Sequence, residues 1–525
     1  MTLPLGDGPG AFLEAYGAAV QPVRQAHGDA YWRFTAQGDS SAQDELATLE
    51  ERLSDLHADP SVYARLQAWL PDTDGLVRRQ LEVLLPDYRQ AQVPEALRKE
   101  IIRLGLKIEE TCTVFRAEIG GRQVSSNELD RILATETDNV ARRDAWQATR
   151  AVGTRVAPKV RELARLRNEQ ARHLGFSDYF ALALDDEEMD ADLLGGVLDD
   201  LQARTDPAWS SLKGRLDVEF GELRNKAPED LQPWDYTDRF LQSVPRPNEG
   251  RTLDPWFRPQ SIGRFAKGYY RGIGLPIEAL WDASDLMPRD GKYPHAYCIG
   301  IDNPTDVRVL CNLDTTARWM ETALHEFGHA VYNAGIDPEL PFLLREPAHT
   351  FVTEAVAMFF GRLARNEDWL ATVAKVPRER AAQAAARLAE NQLVFARWAL
   401  VVTRFEQAMY ADPTADLDAV WWDLVGQLQG LRRPDGWAGG DWASKVHIAC
   451  YPAYYQYYLL GELLASQFTA ALAERGIGST VGVAEVGAFF SELFAGGQRH
   501  RWDAAVQRLT GEKLSARHWV AEFAA

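Results

Sequence analysis

Apolar residues recurring at helical spacing dominate this chain, and that pattern restricts it to a mostly helical fold. Val62, Leu66, Trp69 and Leu70 fall on one helix face, and Val77, Leu81, Leu84 and Leu85 repeat the arrangement after the break "PDTDG". Leu194, Val197, Leu198 and Leu201 form another stripe, predicted to stop before Pro207. All these positions read as core. The Pro-, Gly- and charge-rich stretches "KAPEDLQPWDY" (226–236) and "SVPRPNEGRTLDP" (243–255) read as breaks.

A chain of 525 residues with 46% hydrophobic content can bury a large core, as one domain or two closely packed lobes. Its formal net charge of −19, without a Lys/Arg-rich run, would repel a phosphate backbone, so nucleic acid is not an expected partner. No stretch approaches the roughly 20 apolar residues of a membrane span. The first residues, "MTLPLGDGPGAFLEAYG", lack the basic start and apolar run of a signal peptide. Cys112, Cys298, Cys311 and Cys450 show no C-x-x-C spacing. Cys298 and Cys311 could meet across a hairpin, where two buried thiols are the expected state. These features together predict a cytoplasmic protein that makes no membrane contact.

One region breaks the helical pattern. "YPHAYCIGI" (293–301), "DNPTD" (302–306) and "VRVLCN" (307–312) read as strand, turn and strand, with Arg308 alternating with Val307, Val309 and Cys311. A small sheet therefore precedes "TTARWMETALHEFGHAVYNAG", a predicted amphipathic helix ending at Gly335.

Within that helix, His325 and His329 are four residues apart. Both imidazoles lie on one face and can reach one ion at about 2.0 Å. Glu326 is rotated by roughly 100° from His325, free to take a proton from water instead of ligating. A zinc site that keeps one position open needs a third protein ligand. In "LLREPAHTFVTEAVAMFFGRLAR" (343–365), Glu354 is a carboxylate among Val352, Ala355, Val356, Met358, Phe359 and Phe360. An ionised carboxylate there is costly unless a cation pairs with it. That cation is a metal, or Arg345 in a salt bridge. His349, in the preceding loop, is a second candidate ligand.

Two His and one Glu with a fourth position free suit zinc-assisted hydrolysis, with Glu326 as general base. The oxyanion formed in such a reaction needs a hydrogen-bond donor. "SKVHIACYPAYYQYYLLGELLASQF" (444–468) holds His447 and Tyr451, Tyr454, Tyr455, Tyr457 and Tyr458. Tyr454 with Tyr457 or Tyr458 could share a helix face.

These residues resemble the M2 peptidases, the angiotensin-converting-enzyme-like zinc carboxydipeptidases. "HEFGH" followed by "LPFLLREPAHTFVTEA" is similar to that family's zinc helix and glutamate-ligand run. His295-Ala296-Tyr297 is similar to its histidine-alanine strand, and "KVHI" (445–448) with Tyr454 and Tyr457 to its lysine-histidine segment and two tyrosines. "YWRFT" (31–35), "RRDAWQATR" (142–150) and "LRNEQARHLGFSDY" (166–179) are weaker echoes. The resemblance implies that Tyr457 stabilises the oxyanion. It implies that His447 and His295 hold substrate carbonyls, and that Ala296 and Tyr297 align the peptide backbone. Lys445 and Tyr454 would grip a C-terminal carboxylate, helped by a glutamine near "QPWDY" (232–236).

Three departures bear on activity. The spacing from His329 to Glu354 is one residue longer than in the animal enzymes and equals that of the related M3 oligopeptidases. Gln456 replaces the arginine that binds an activating chloride in the animal enzymes, so little response to chloride is expected. "DVRVL" (306–310) before the zinc helix also resembles the M32 carboxypeptidases.

The sequence thus predicts a mainly α protein forming one zinc peptidase unit over residues 1–525, with a small β-sheet beside the H-E-x-x-H helix. A helical lid and scaffold (1–225) and a catalytic half (226–525) would be two helical lobes flanking a deep active-site cleft. Its expected activity is hydrolysis of short peptides by one zinc ion per chain, releasing C-terminal dipeptides. The alternatives are internal cleavage of the M3 type and a non-catalytic peptide-binding protein, which would have no need of Glu326.

Overall fold

The computed structural model describes residues 6–244 and 253–524. It is mainly α, with two small two-stranded antiparallel sheets among the described residues. Contacts divide the chain into two units of three segments each. One unit comprises Met1–Gln92, Gly250–Ala385 and Gly461–Ser515; the other comprises Val93–Glu249, Ala386–Leu460 and Ala516–Ala525. This partition differs from a cut at residue 225, because each unit takes segments from both halves of the sequence. Most of the 243–255 break lies outside the described residues.

In the first unit the helix Pro9–Gln37 starts on Pro9, whose missing N–H costs nothing in the first turn. It ends at Gly38, where a φ of 69° suits a residue without Cβ. Phe12, Leu13, Tyr16 and Val20 from this helix pack with Val62 and Leu66 of the helix Pro60–Trp69. Leu81, Leu84 and Tyr88 of the helix Gly75–Ala91 complete the cluster. The first two apolar stripes are therefore core. The other end of the helix Pro9–Gln37 sends Trp32 and Ala36 against Ile301 and Leu310, so "YWRFT" seats the hairpin.

That hairpin pairs Tyr297–Asp302 with Asp306–Leu310 in the register Tyr297↔Leu310 and Cys298↔Val309. The first strand starts at Tyr297, four residues later than the alternation predicts. Pro294 has no N–H for a ladder, and the Tyr293 N–H bonds the Thr35 carbonyl instead. Beyond Leu310 the partner strand turns to Asp285, whose carbonyl accepts from the Cys311 N–H. Cys298 and Cys311 are free thiols, as expected, although only Cys311 is buried and Cys298 is half-buried.

In the second unit, two long helices begin at aspartate caps. Asp138 accepts from the Ala141 N–H at the start of Asn139–His173, and Asp190 from the Leu193 N–H at the start of Ala191–Arg224. The second helix corrects the predicted stop before Pro207, since it runs on to Arg224 with Pro207 inside. Pro207 and Ala203 are both exposed. The carbonyl left without a partner four residues before the proline can therefore turn to water. A second hairpin, Ala117–Ile119 with Arg122–Val124, was not anticipated. Its turn is Gly120–Gly121, both at positive φ, and that dipeptide between two short β-formers was the available signal.

Candidate active site

The helix Ala317–Ala334 ends at Gly335, as predicted, and carries His325, Glu326 and His329. It packs along the helix Thr350–Gly361, which carries Glu354. Gly328 is what allows the approach: a Cβ there would lie 2.8 Å from the Ala357 Cα, closer than real contacts permit. Gly461 acts in the same way on the far side of Glu354, where a Cβ would stand 3.3 Å from the Glu354 Cβ.

This packing brings His325, His329 and Glu354 together, with one ligand atom from each within 4.8 Å of the others. The two Nε2 atoms are 3.3 Å apart, and Glu354 Oε2 lies 3.6 Å from His325 Nε2 and 4.0 Å from His329 Nε2. His329 Nδ1 is 2.8 Å from Thr353 Oγ1, and donation along that contact leaves Nε2 with its lone pair. Sequence reasoning missed this contact. His349 is not part of the group: it caps the helix, its Nδ1 accepting from the Phe351 N–H at 3.0 Å. Arg345 does not serve Glu354 either, its Nε donating to the Leu340 carbonyl.

The electrostatics suit a divalent cation. Burial pulls His325 down to about 4 and His329 well below its ordinary value, so both imidazoles are neutral and can act as ligands. Burial pushes Glu354 up to about 7, with the Glu462 charge adding. Burial also pushes Glu326 up to about 8, with the Glu354 charge adding. The Glu354 carboxyl and two neutral imidazoles form a donor set that a cation would stabilise, and zinc accepts these ligand types.

His295 and Ala296 precede the strand, with His295 exposed and its ring 5.3 Å from Tyr293. The Tyr297 side chain is committed to the helix Pro9–Gln37, its hydroxyl bonding Thr35 and its ring standing edge-on to Tyr31. Only its backbone remains for a ligand. The strand Tyr297–Asp302 pairs with one strand among the described residues, which leaves its other edge without a strand partner.

The second unit holds the remaining predicted residues. Lys445 is half-buried, its Nζ bonding Gln242 Oε1 at 2.8 Å and lying over the Trp398 and Tyr455 rings, 5.2 Å from each centroid. Burial pulls its ammonium down to about 8; the nearby Asp238 opposes the shift and Arg239 adds to it. Among the described residues, no carboxylate is in ion-pair contact with Lys445. Gln232, in "QPWDY", forms a capping box with Asp235, and the glutamine that meets Lys445 is Gln242. The loop carrying Gln242 is held from several sides. Arg142 donates to the Trp234 and Tyr236 carbonyls, and Gln429 to those of Phe240 and Leu241. Arg150 pairs with Asp441 and lies 4.0 Å over the Phe240 ring. "RRDAWQATR" thus builds this loop.

His447 sits on the short helix Val446–Cys450, and burial followed by the Lys445 charge pulls it down to about 4. Its ring is 5.1 Å from Tyr455 and 6.0 Å from Tyr458. The helix Tyr455–Glu474 begins one residue after Tyr454, so Tyr454 precedes the face it was expected to share. Its ring still meets Tyr457 at 5.8 Å and Tyr458 at 5.3 Å. Tyr457 is buried, which raises its phenol above the ordinary value.

A helical protein with a His/His/Glu cluster and an adjacent glutamate has the features of a metallopeptidase, and comparison with known proteins agrees. Residues 278–525 match the model of peptidase family M3, and residues 8–215 match that of angiotensin-converting enzyme. A similar protein is the mouse (Mus musculus) angiotensin-converting enzyme-like protein Ace3. It is 22% identical over 559 aligned positions, covering 98% of this chain and 75% of that protein. The two matches together take in most of the chain and point to the M2 and M3 metallopeptidases, families of zinc enzymes acting on peptides.

Proposed function

We propose that this chain is a zinc peptidyl-dipeptidase that removes C-terminal dipeptides from short peptides. His325, His329 and Glu354 would hold the metal, one ion per chain. Zinc, when bound, supplies Lewis-acid chemistry, polarising a peptide carbonyl and making water more acidic. Glu326 takes the proton from the attacking water and returns it to the leaving amine. Tyr457 donates a hydrogen bond to the oxyanion. His295 and His447 hold substrate carbonyls, His447 as the neutral imidazole. The backbone of Ala296 and Tyr297, at the start of the strand, aligns the peptide backbone.

The observation that carries dipeptide release is Lys445: a partly desolvated ammonium whose hydrogen-bond partner is the neutral Gln242. A cation removed from water without a carboxylate partner is suited to an anion from the substrate, and Tyr454 stands nine residues further along. The peptide's terminal carboxylate supplies that anion. Internal cleavage of the M3 type is the second reading, favoured by the M3 match over the metal-binding half.

Product analysis by mass spectrometry separates the two, using one blocked decapeptide with a free or an amidated C-terminus. Stepwise loss of dipeptides from the free form alone supports the proposal. Internal cuts in both forms refute it and leave Lys445 without its role. In parallel, Glu326→Ala should abolish hydrolysis with zinc still bound; retained turnover would remove Glu326 from the reaction.

A further inference from the structure

Ala453 has a left-handed backbone, φ 53°, which an L-residue with a Cβ adopts only when its surroundings hold it there. It lies in the turn between the helix Val446–Cys450, which carries His447, and the helix Tyr455–Glu474, which carries Tyr457. Both of its backbone groups are held by side chains. Glu406 Oε1 accepts from the Ala453 N–H at 2.8 Å, and Gln456 Nε2 donates to the Ala453 carbonyl at 2.5 Å. Glu406 and Gln456 are both fully buried.

Glu406 is a costly residue to bury here. Its charged and titratable neighbours are Arg167, Tyr410 and Tyr179. Arg167 donates to the Tyr410 hydroxyl and lies over the Tyr179 ring. An apolar residue of similar size would fill the space without the desolvation cost, but could not accept from the Ala453 N–H. The turn that this bond holds sets the relation of His447 to the tyrosines of the next helix.

We propose that Glu406 and Gln456 are positioning residues: by clamping Ala453 in the left-handed conformation, they fix the geometry of His447 and Tyr457 for the reaction. This rests on the roles given to His447 and Tyr457 under the proposed function.

The test compares Glu406→Gln, which keeps an acceptor for the Ala453 N–H, with Glu406→Leu, which keeps only volume. Both are assayed as full-length zinc-loaded enzyme, with zinc content and melting temperature measured. Glu406→Gln is expected to hold kcat within about threefold of the parent. Glu406→Leu should lose about 10- to 100-fold in kcat, with KM little changed and zinc retained. If Glu406→Leu does not fold, Gln456→Met carries the same expectation, since it removes the other half of the clamp. Full kcat in Glu406→Leu, or in Gln456→Met where that variant stands in for it, would overturn the proposal. Equal loss in the Gln and Leu variants would also overturn it, because charge rather than the hydrogen bond would then matter. Tyr457→Phe, assayed alongside, separates the two levels. If it keeps full kcat, the role of Tyr457 fails and the positioning proposal fails with it. If it is impaired while Glu406→Leu is not, only the positioning proposal fails.

Discussion

Replacing Gly328 by alanine tests whether close helix packing sets the metal geometry. The added Cβ would lie 2.8 Å from the Ala357 Cα, which is backbone and cannot rotate away. Carbon atoms settle near 3.5 Å, so the helices Ala317–Ala334 and Thr350–Gly361 must separate by roughly 0.7 Å. Overpacking of this kind costs about 1–3 kcal/mol, offset by the ~0.5–1 kcal/mol that alanine gains over glycine in a helix. The net expectation is a destabilisation of about 0–2.5 kcal/mol. The effect on the metal should be the clearer one. Ligand distances must hold to about 0.2 Å, whereas Glu354 moves with one helix and both histidines with the other. Zinc affinity should therefore fall at least about tenfold, or 1.4 kcal/mol. Urea unfolding of the apoprotein and zinc titration against a chromogenic chelator measure the two effects. Gly214→Ala is the control: it lies exposed within the helix Ala191–Arg224, where a Cβ meets nothing within 4 Å. It should stabilise by about 0.5–1 kcal/mol and leave zinc unaffected. A Gly328→Ala protein as stable as the parent, with zinc affinity within about twofold, would refute the reasoning.

The other predictions concern groups around the two clusters. Lys445 is charged below about 8 and neutral above it, so kcat/KM for free-acid peptides should fall as pH rises through that value. A profile flat to pH 10 would remove Lys445 from carboxylate binding. Lys445→Met should raise KM by about 10- to 100-fold for free-acid peptides and change it little for amidated ones. Thr353→Val removes the partner of His329 Nδ1 and should weaken zinc binding by about 10- to 100-fold without loss of fold, read by the same chelator titration. On the resemblance to the animal enzymes, whose chloride-binding arginine Gln456 replaces, activity at fixed ionic strength should change by less than about twofold on adding chloride. A many-fold rise would contradict this.

What the chain makes legible by itself is what lies close together along it. His325 and His329 share a face because helical geometry puts every fourth residue there, and a helix ending at Gly335 needs no tertiary information. The core role of Val62, Leu66, Leu81 and Leu84 follows from the same periodicity. Glu354 was readable as a candidate ligand because a lone carboxylate in an apolar helix needs a cation. Where local rules failed, a distant part of the chain had decided. The first hairpin strand starts late because Tyr293 bonds Thr35 and the partner strand turns to Asp285. Pro207 is tolerated because its helix exposes that turn to water. Gln242 meets Lys445 across 203 residues of sequence, held by Arg142, Arg150 and Gln429, and no spacing rule could have found it. Ala453 carries no mark of its left-handed backbone in a sequence that offers an ordinary alanine; only the buried carboxyl of Glu406 reveals it. Periodicity belongs to the backbone and can be read from the order of residues. A hydrogen bond between segments belongs to the packed chain, and exists only once burial has removed the competing water.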